Sequence, residues 1–324
     1  MLNKDKQVDE GGEESASSVL LPEWSYDIYD DIIKQHSEAE ASESEKNPLI
    51  GDKEPLSVLE AEYQSSCPVW VKKIKFLEQK FAAIRRARGD GNCFYRCFMF
   101  SYLEHILETR DKPEVDRIKA NVEESRRTLM GLGYADFTFE DIFELFLEQL
   151  ECVLQGTDSI SHEELVRKCR CPSHSNSGEL FKIMTFMGPL ALTLYSRFFC
   201  SVVMFLRFVT AGEMRKRSEF FEPFVMGLAS SNVEQFCRSS VLPMAEESDH
   251  VHIIALSSAL GVPIRVVYLD RSTSDNDGAT VNHHDFVPSS GDSSASSSSS
   301  SSEVTEPFMV LLYRPGHYDI LYPK

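Results

Sequence analysis

Apolar residues recur at helical spacing along much of this chain. In the stretches 70–84 and 94–107 they fall every three or four positions. This spacing places them on one face of an α-helix, so we predict a helix over each stretch. Pro113 at a first turn and Gly131 or Gly133 at the end bracket a third helix.

Capping signals predict two more helices. Thr138 with Asp141 is a capping-box variant, with Asp in place of Glu or Gln, ahead of IFELFLEQLECVL. Ser248-Asp249 begins HVHIIALSSAL, which Gly261 closes. Most of the predicted regular structure is therefore helical.

Strand signals come late in the chain. PIRVVYL (263–269) and PFMVLLY (307–313) are apolar and rich in β-branched residues, and YDILY (318–322) follows a tight RPGH turn. The last two segments predict a terminal hairpin. Many helices with a small late β-sheet make an α+β fold.

The composition divides the chain into a tail and a domain. Residues 1–54 are rich in Glu, Ser and Ala and predict an acidic, mostly disordered tail, which leaves residues 55–324 as the folded domain. Fifteen acidic residues and five lysines in residues 1–55 account for −10 of the net charge of −18, which leaves −8 for the remainder. The Ser-rich run 289–302 predicts a flexible surface loop.

Charge and cysteine usage exclude some functions. A mildly acidic domain argues against nucleic acid as a partner and suits a protein with a basic face. The chain starts without an apolar signal segment, and its eight cysteines are irregularly spaced, so we expect reduced thiols and a cytoplasmic or nuclear location.

One cysteine lies where thiol chemistry is favoured. Cys93 follows the turn Gly-Asp-Gly-Asn (89–92) and precedes the helical pattern FYRCFMFSYLEHIL. Free N–H groups and the positive dipole end at a helix N-terminus favour a thiolate and would stabilise an oxyanion. A structural role is the alternative, because most cysteines near helix starts are structural.

A cysteine nucleophile needs a base, and His317 is the best-placed histidine. It follows the tight turn in RPGHYDILY, with Asp319 two positions later. The period of two along a strand puts both side chains on one face, where the carboxylate can orient the ring. A surface His–Asp pair is the alternative. His283 and His284, which we expect in a loop before DFV, would be the next candidates for the base.

Three blocks carry a resemblance to a known family. GDGNCFYRCF, ESDHVHIIALSSALGVPIRVVYLD and LLYRPGHYDILY closely resemble the otubain branch of the ovarian-tumour-domain (OTU) deubiquitinases, and the resemblance covers nearly all of residues 55–324. It implies a papain-like fold and a cysteine isopeptidase that releases ubiquitin from lysine amines. By position in these motifs, Cys93 would be the nucleophile, His317 the base and Asp319 the orienting acid. Asp90 matches the residue whose backbone amide helps to form the family's oxyanion hole.

The expected partners follow from this resemblance. They are ubiquitin and polyubiquitin chains, with ubiquitin-conjugating enzymes as a second class. A non-catalytic binder that captures ubiquitin or its conjugating enzymes and blocks transfer is the main alternative. A generic papain-like peptidase is a third, which the specificity of the three blocks disfavours.

No cofactor or metal is expected. Cys169, Cys171 and His174 supply three possible ligands, but no matching second pair accompanies them, and structural zinc sites typically use four ligands.

Residues 170–200 form an apolar insert with no counterpart in the family pattern. Their uncharged run, 183–196, is 14 residues long and contains Pro189. A membrane-spanning helix needs about 20 apolar residues, so we expect no span here. The insert also lacks consistent helical or strand periodicity.

We predict that the insert is dispensable. Deleting residues 171–200 should improve solubility and preserve or raise ubiquitin-chain cleavage, because the segment is far in sequence from Cys93 and His317 and adds exposed apolar surface. Soluble yield, circular dichroism and diubiquitin cleavage measure the effect. Unfolding of the shortened chain, or loss of cleavage with the fold intact, would identify the insert as a structural element.

Overall fold

The structure, a computed structural model, describes residues 48–135, 139–156, 160–169, 201–271, 281–288 and 306–324. The insert 170–200, the Ser-rich run 289–302 and the first 47 residues of the acidic tail lie outside the described residues. No helix within the described ranges is long and apolar enough to cross a membrane.

Helices and strands follow one another along the chain in no regular order. The described strands are β1 (Ile50–Glu54), β2 (Phe81–Ala87), β3 (Ile264–Tyr268), β4 (His283–Phe286), β5 (Met309–Arg314) and β6 (His317–Pro323). The described helices are α1 (Leu56–Tyr63), α2 (Pro68–Lys80), α3 (Cys93–Thr109), α4 (Lys112–Gly131), α5 (Glu140–Gln155), α6 (His162–Lys168), α7 (201–216), α8 (Ser218–Ala229), α9 (Val233–Phe236) and α10 (His250–Leu260). A π-helical turn, Cys237–Val241, follows α9.

The strands form one mixed sheet that is covered on both faces. Their order is β1-β2-β6-β5-β3-β4, and each neighbouring pair is antiparallel except β3 with β5, which is parallel. Alternate residues of β5 supply the two faces. Val310 and Leu312 pack under α1 and α2, whereas Met309 and Leu311 join the larger core around α3. The α+β class is confirmed.

The helix predicted over 70–84 is wrong at its end. α2 stops at Lys80, and Phe81 already has an extended backbone, with φ −116° and ψ 137°. Ile84 pairs with Leu321 of β6, 237 positions along the chain. The spacing of Phe81 and Ile84 fits a helix as well as a strand, and only this distant pairing decides between them.

Two other expectations also need correction. The tail was predicted to end at residue 54, but Leu49 and Ile50 are buried in the core and β1 pairs with β2. The folded domain therefore starts before residue 55. His283 and His284, expected in a loop, belong to β4, which pairs with β3.

The helix ends predicted from capping signals agree better with the structure than the end predicted from apolar spacing. α4 has Pro113 in its first turn and ends at Gly131, as predicted, and Asp111, which was not predicted, caps it by accepting a hydrogen bond from the Glu114 N–H at 3.0 Å. Asp249 and His252 form a capping box at the start of α10, and Gly261 ends that helix in the left-handed region at φ 67°. Thr138 lies outside the described residues, and α5 has no side-chain cap.

We predict that Phe205 of α7 anchors the helices around α5. It is fully buried, and its ring lies 4.5 Å from the ring of Phe146 and 4.7 Å from that of Phe143, centroid to centroid. Phe205→Ala should lower the free energy of unfolding by about 3–5 kcal/mol. Urea denaturation measures this loss.

The matched control is Phe220→Ala in α8, where the side chain is 43% exposed. It should change the free energy of unfolding by about 0.5 kcal/mol or less. Equal losses for the two variants would show that α7 does not belong to the core.

Candidate active site

Cys93 is the first residue of α3 and follows a tight glycine turn. Gly91 has a φ of +76°, and a Cβ added there would lie 1.9 Å from the carbonyl oxygen of Ala245. Only glycine combines this backbone angle with this close approach. The turn therefore fixes where α3 starts and where the Cys93 sulfur lies.

The Asp90 side chain stabilises the same turn. Its two carboxylate oxygens accept hydrogen bonds from Arg96, each at 2.5 Å, and one of them also accepts the Asn92 N–H at 3.1 Å. Burial alone raises the pKa of Asp90, but the charge and hydrogen bonds of Arg96 and the Asn92 N–H outweigh it, and the net pKa is lowered. The ion pair between Asp90 and Arg96 thus holds residues 90–92 against the first turn of α3.

His317 and Asp319 lie on the same face of β6, as predicted from their spacing. The His317 Nε2 and an Asp319 oxygen are 2.9 Å apart. Asp319 is fully buried and also accepts hydrogen bonds from the Ala87 N–H at 3.1 Å and from Arg314 at 2.5 Å. Burial raises the pKa of Asp319, yet His317, Arg314 and the Ala87 N–H reverse the effect and leave the pKa lowered.

His317 faces Cys93 with its other nitrogen. A Cβ placed on Gly89 would lie 3.3 Å from Nδ1, which locates that nitrogen beside the Gly-Asp-Gly-Asn turn that precedes Cys93. Burial lowers the pKa of His317, but hydrogen bonds to Asp319 and Cys93 outweigh it and raise the pKa to about 9. The ring is therefore a protonated imidazolium at neutral pH. It can donate a proton to a group that reacts at the Cys93 sulfur.

The other described histidines have different neighbours. His105 stacks on Phe308, His162 contacts Glu104, and His250 stacks on Tyr268. His252 is buried, which lowers its pKa to about 4. His283 and His284 lie on β4 at the far edge of the sheet from β2. The structure thus brings Cys93, His317, Asp319 and the Asp90 turn together and places no other described histidine with them.

Sequence reasoning missed two arginines around this site. Arg314 bridges Asp319 and the Tyr63 hydroxyl, which lies 2.9 Å away on α1. Arg207 of α7 donates hydrogen bonds to Gly91 and Asn92. Arg314 is the first residue of the RPGH turn, three positions before His317, which offered a weak signal, whereas no local pattern marked Arg207.

One group of side chains has the geometry of a metal site. Glu104, Glu108 and His162 place one potential ligand atom each within 4.8 Å of one another. Glu104, however, already accepts hydrogen bonds from Tyr322 at 2.7 Å and from Arg85 at 3.5 Å. Its lone pairs are committed to this network, so we assign no metal to it.

Of the three residues weighed as zinc ligands, the structure describes one. Cys169 is buried, and burial raises its pKa well above the ordinary value, which makes it a neutral thiol. Cys171 and His174 lie outside the described residues.

Comparisons with known proteins point to one family. The model of the family Peptidase C65 Otubain matches residues 42–323. The "OVARIAN TUMOR DOMAIN-containing deubiquitinating enzyme 1" of Arabidopsis thaliana is 56% identical over 293 residues, which cover 90% of this chain and 86% of that protein. The human "Ubiquitin thioesterase OTUB1" is 37% identical over 295 residues, covering 91% and 90%.

Solved structures of the same kind superimpose on this fold. The structure of h/ceOTUB1-ubiquitin aldehyde-UBC13~Ub matches with a TM-score of 0.66 and 29% identity, covering 92% of this chain and 99% of the other. The structure of h/ceOTUB1-ubiquitin aldehyde-UBCH5B~Ub matches with a TM-score of 0.64 and 28% identity, covering 92% and 98%. With a matching family model over most of its length and close relatives along nearly all of it, this chain belongs to the otubain family of cysteine peptidases, C65.

Proposed function

We propose that this protein is a cysteine isopeptidase that cleaves ubiquitin chains and ubiquitin conjugates. The observation that carries the proposal is the contact of His317 with both Cys93 and Asp319 at the N-terminus of α3. This arrangement occurs in a chain whose relatives are named deubiquitinating enzyme and ubiquitin thioesterase.

The geometry supports a two-step mechanism. The Cys93 thiolate attacks the isopeptide carbonyl, and the negative charge passes to the carbonyl oxygen, which first-turn N–H groups of α3 and the Asp90 backbone amide stabilise. The imidazolium of His317 gives its proton to the leaving lysine amine, and the C–N bond breaks to leave a thioester on Cys93. Neutral His317 then takes a proton from water, whose oxygen attacks the thioester and releases the carboxylate and Cys93.

Asp319 acts on the ring of His317 rather than on the substrate. Its buried carboxylate orients the imidazole through Nε2, which turns Nδ1 toward Cys93, and it stabilises the imidazolium electrostatically.

Burial of the reacting groups suits a slender substrate. The Cys93 residue is 3% exposed, and the side chain of His317 is 18% exposed. The C-terminal tail of ubiquitin ends in two glycines, so it can reach a sulfur that bulkier chains cannot. The acidic charge of the folded part suits the basic face of ubiquitin.

An exposed apolar stripe provides a surface for the body of the substrate. Phe220, Phe224 and Leu228 are spaced by four along α8 and are 43%, 47% and 52% exposed, while Phe221 and Val225 on the adjacent face are buried. Exposed apolar rows of this kind mark protein-binding surfaces. We assign ubiquitin to this stripe.

Capture of ubiquitin-conjugating enzymes is a second candidate function. The solved relatives are complexes with ubiquitin aldehyde and with UBC13~Ub or UBCH5B~Ub. A protein of this fold that holds a conjugating enzyme would slow ubiquitin transfer without cleaving anything, and both functions are compatible in one chain.

A reducing compartment, cytoplasm or nucleus, is part of the proposal. The six cysteines that the structure describes are all free thiols, among them Cys93 and Cys97, which are one helical turn apart. Cys97 donates a hydrogen bond to the Tyr318 carbonyl at 3.4 Å, and its burial raises its pKa.

The first prediction from this proposed function distinguishes an enzyme from a protein that only binds ubiquitin. Cys93→Ala should abolish diubiquitin cleavage and leave ubiquitin binding intact, because only the sulfur is lost. His317→Ala should be nearly as damaging, and Asp319→Asn milder, since triad members act as a unit but an Asn still holds the ring. Single-turnover cleavage and a binding titration measure both properties.

The matched control is a ubiquitin probe with an electrophilic C-terminus, which should label Cys93 and none of the other cysteines. Cleavage at the wild-type rate by Cys93→Ala would contradict the mechanism. If the wild type does not cleave but slows ubiquitin transfer by a conjugating enzyme, the binding function replaces it.

The second prediction concerns pH. The pKa of His317 is raised from 6.5 to about 9, so the imidazolium persists through neutral pH and is lost as the pH rises through about 9. Cleavage should therefore decline above about pH 9, because the leaving amine no longer receives a proton. In Asp319→Asn the decline should start at lower pH, since one cause of the raised pKa is gone. A rate profile between pH 6 and 10 tests this, and an unchanged alkaline limb in the variant would contradict it.

The third prediction tests the stripe on α8. Phe224→Arg should raise KM for diubiquitin about tenfold or more, because a charge replaces a central apolar contact. The alkylation of Cys93 by iodoacetamide should stay at the wild-type rate, since the site itself is unchanged. Val58→Arg, at a 40% exposed position on α1, is the control and should leave KM unchanged. Equal KM values for Phe224→Arg and the wild type would remove the stripe from the ubiquitin surface.

A further inference from the structure

Arg207 connects three parts of the chain beneath the catalytic turn. The residue lies in α7 and is 1% exposed. Its guanidinium donates to the carbonyl oxygens of Val241 at 2.9 Å and Glu246 at 2.8 Å. It also donates to the carbonyl of Gly91 at 3.2 Å and to Oδ1 of Asn92 at 2.8 Å. A buried charge with this many acceptors fixes their relative positions, because any displacement leaves it without compensation.

The contact with Asn92 changes how α3 begins. Asn92 is the N-cap residue, and asparagine in this position normally accepts a hydrogen bond from an N–H of the first turn. Here Oδ1 instead accepts from Arg207 and from the Ala245 N–H at 3.0 Å, and no side chain caps α3. The first intrahelical bond runs from the Arg96 N–H to the Asn92 carbonyl. The N–H groups of Cys93 and the next two residues therefore precede the helical ladder and have no capping side chain.

The peptide between Gly91 and Asn92 is held from both ends. Its carbonyl oxygen accepts from Arg207, and its N–H donates to the Asp90 carboxylate at 3.1 Å. Arg96 in turn fixes that carboxylate. A rotated peptide would lose both partners and turn its carbonyl oxygen toward the Asp90 carboxylate, which repels it.

Stacking supports the same placement. The Arg207 guanidinium lies over the ring of Tyr95, 4.7 Å from its centroid, and Tyr95 is fully buried in the first turn of α3. Arg207 thus touches the turn and the helix start together, and it does not reach the reacting atoms themselves.

We propose that Arg207 is a positioning residue that keeps the N-terminus of α3 uncapped for catalysis. By holding the Asn92 side chain away from the helix and the Gly91–Asn92 peptide in one orientation, it leaves first-turn N–H groups for the negative charge on Cys93 and on the oxyanion. This role rests on the proposed isopeptidase function for its kinetic consequences, but its effect on Cys93 reactivity does not require ubiquitin.

The test compares Arg207→Met with Arg207→Lys and with the double variant Arg207→Met/Asn92→Ala. Arg207→Met should lower kcat for diubiquitin about tenfold to hundredfold, less than the roughly hundredfold to thousandfold lost when an oxyanion donor is removed outright, with little change in KM. Arg207→Lys should fall between it and the wild type. The double variant should recover part of the lost kcat. Without Arg207 the Asn92 side chain is free to cap α3, whereas alanine at position 92 has no side-chain acceptor and cannot.

Two further measurements keep the outcomes distinct. Alkylation of Cys93 by iodoacetamide at pH 6, followed by mass spectrometry of its peptide, should slow in Arg207→Met and recover in the double variant, whether or not the wild type cleaves diubiquitin. Thermal unfolding reports any loss of stability. Arg215→Met, on the same helix beside the ring of Tyr134, is the control and should leave kcat and alkylation unchanged.

A double variant that is slower than Arg207→Met in both assays would overturn the proposal, because Arg207 would then stabilise the fold without acting through Asn92. Wild-type alkylation and kcat in a folded Arg207→Met or Arg207→Lys would overturn it as well. Failure of the wild type to cleave diubiquitin, with the alkylation pattern as expected, would contradict the isopeptidase function alone.

Discussion

The buried carboxylate of Asp319 is the group on which the site depends. It lies in the central strand β6, is fully buried, and receives donors from β2, from β5 and from its own strand. An ionised carboxylate in such a place is tolerated only because the Ala87 N–H, Arg314 and His317 surround it. The sheet and the imidazolium therefore stabilise each other, and the charged state of His317 is a consequence of how β2, β5 and β6 pair.

The second constraint is the close packing of the catalytic turn. Gly91 lies directly against the backbone of Ala245, while Asp90 and Asn92 are each held by a buried arginine. Such packing leaves little freedom for the residues just before Cys93. An enzyme that stabilises a developing oxyanion with backbone N–H groups benefits from this rigidity, since the donors need no reorganisation during the reaction.

Much of this site was accessible from local sequence. The spacing of His317 and Asp319 requires only the period of a strand, and the position of Cys93 requires only a turn that cannot be helical before a segment that can. The caps of α4 and α10 are similarly local. The end of α2 was not, because Phe81 and Ile84 fit helix and strand equally and only their pairing with β6 makes them a strand. β4 was missed as well, because four residues are too few to show the period of a strand.

The sequence by itself determined the family and the α+β class and singled out Cys93, His317 and Asp319 as the candidate nucleophile, base and orienting acid, because each depends on motifs or on periods that span a few residues. Only the tertiary structure decided that residues 50–54 complete the sheet, that Arg314 joins Asp319 to Tyr63, and that Arg207 takes the side chain of Asn92 away from α3. These contacts connect positions up to 251 residues apart in the chain. A residue's identity shows that it can donate or accept, but which partner it meets depends on how distant segments pack, and no local pattern records that.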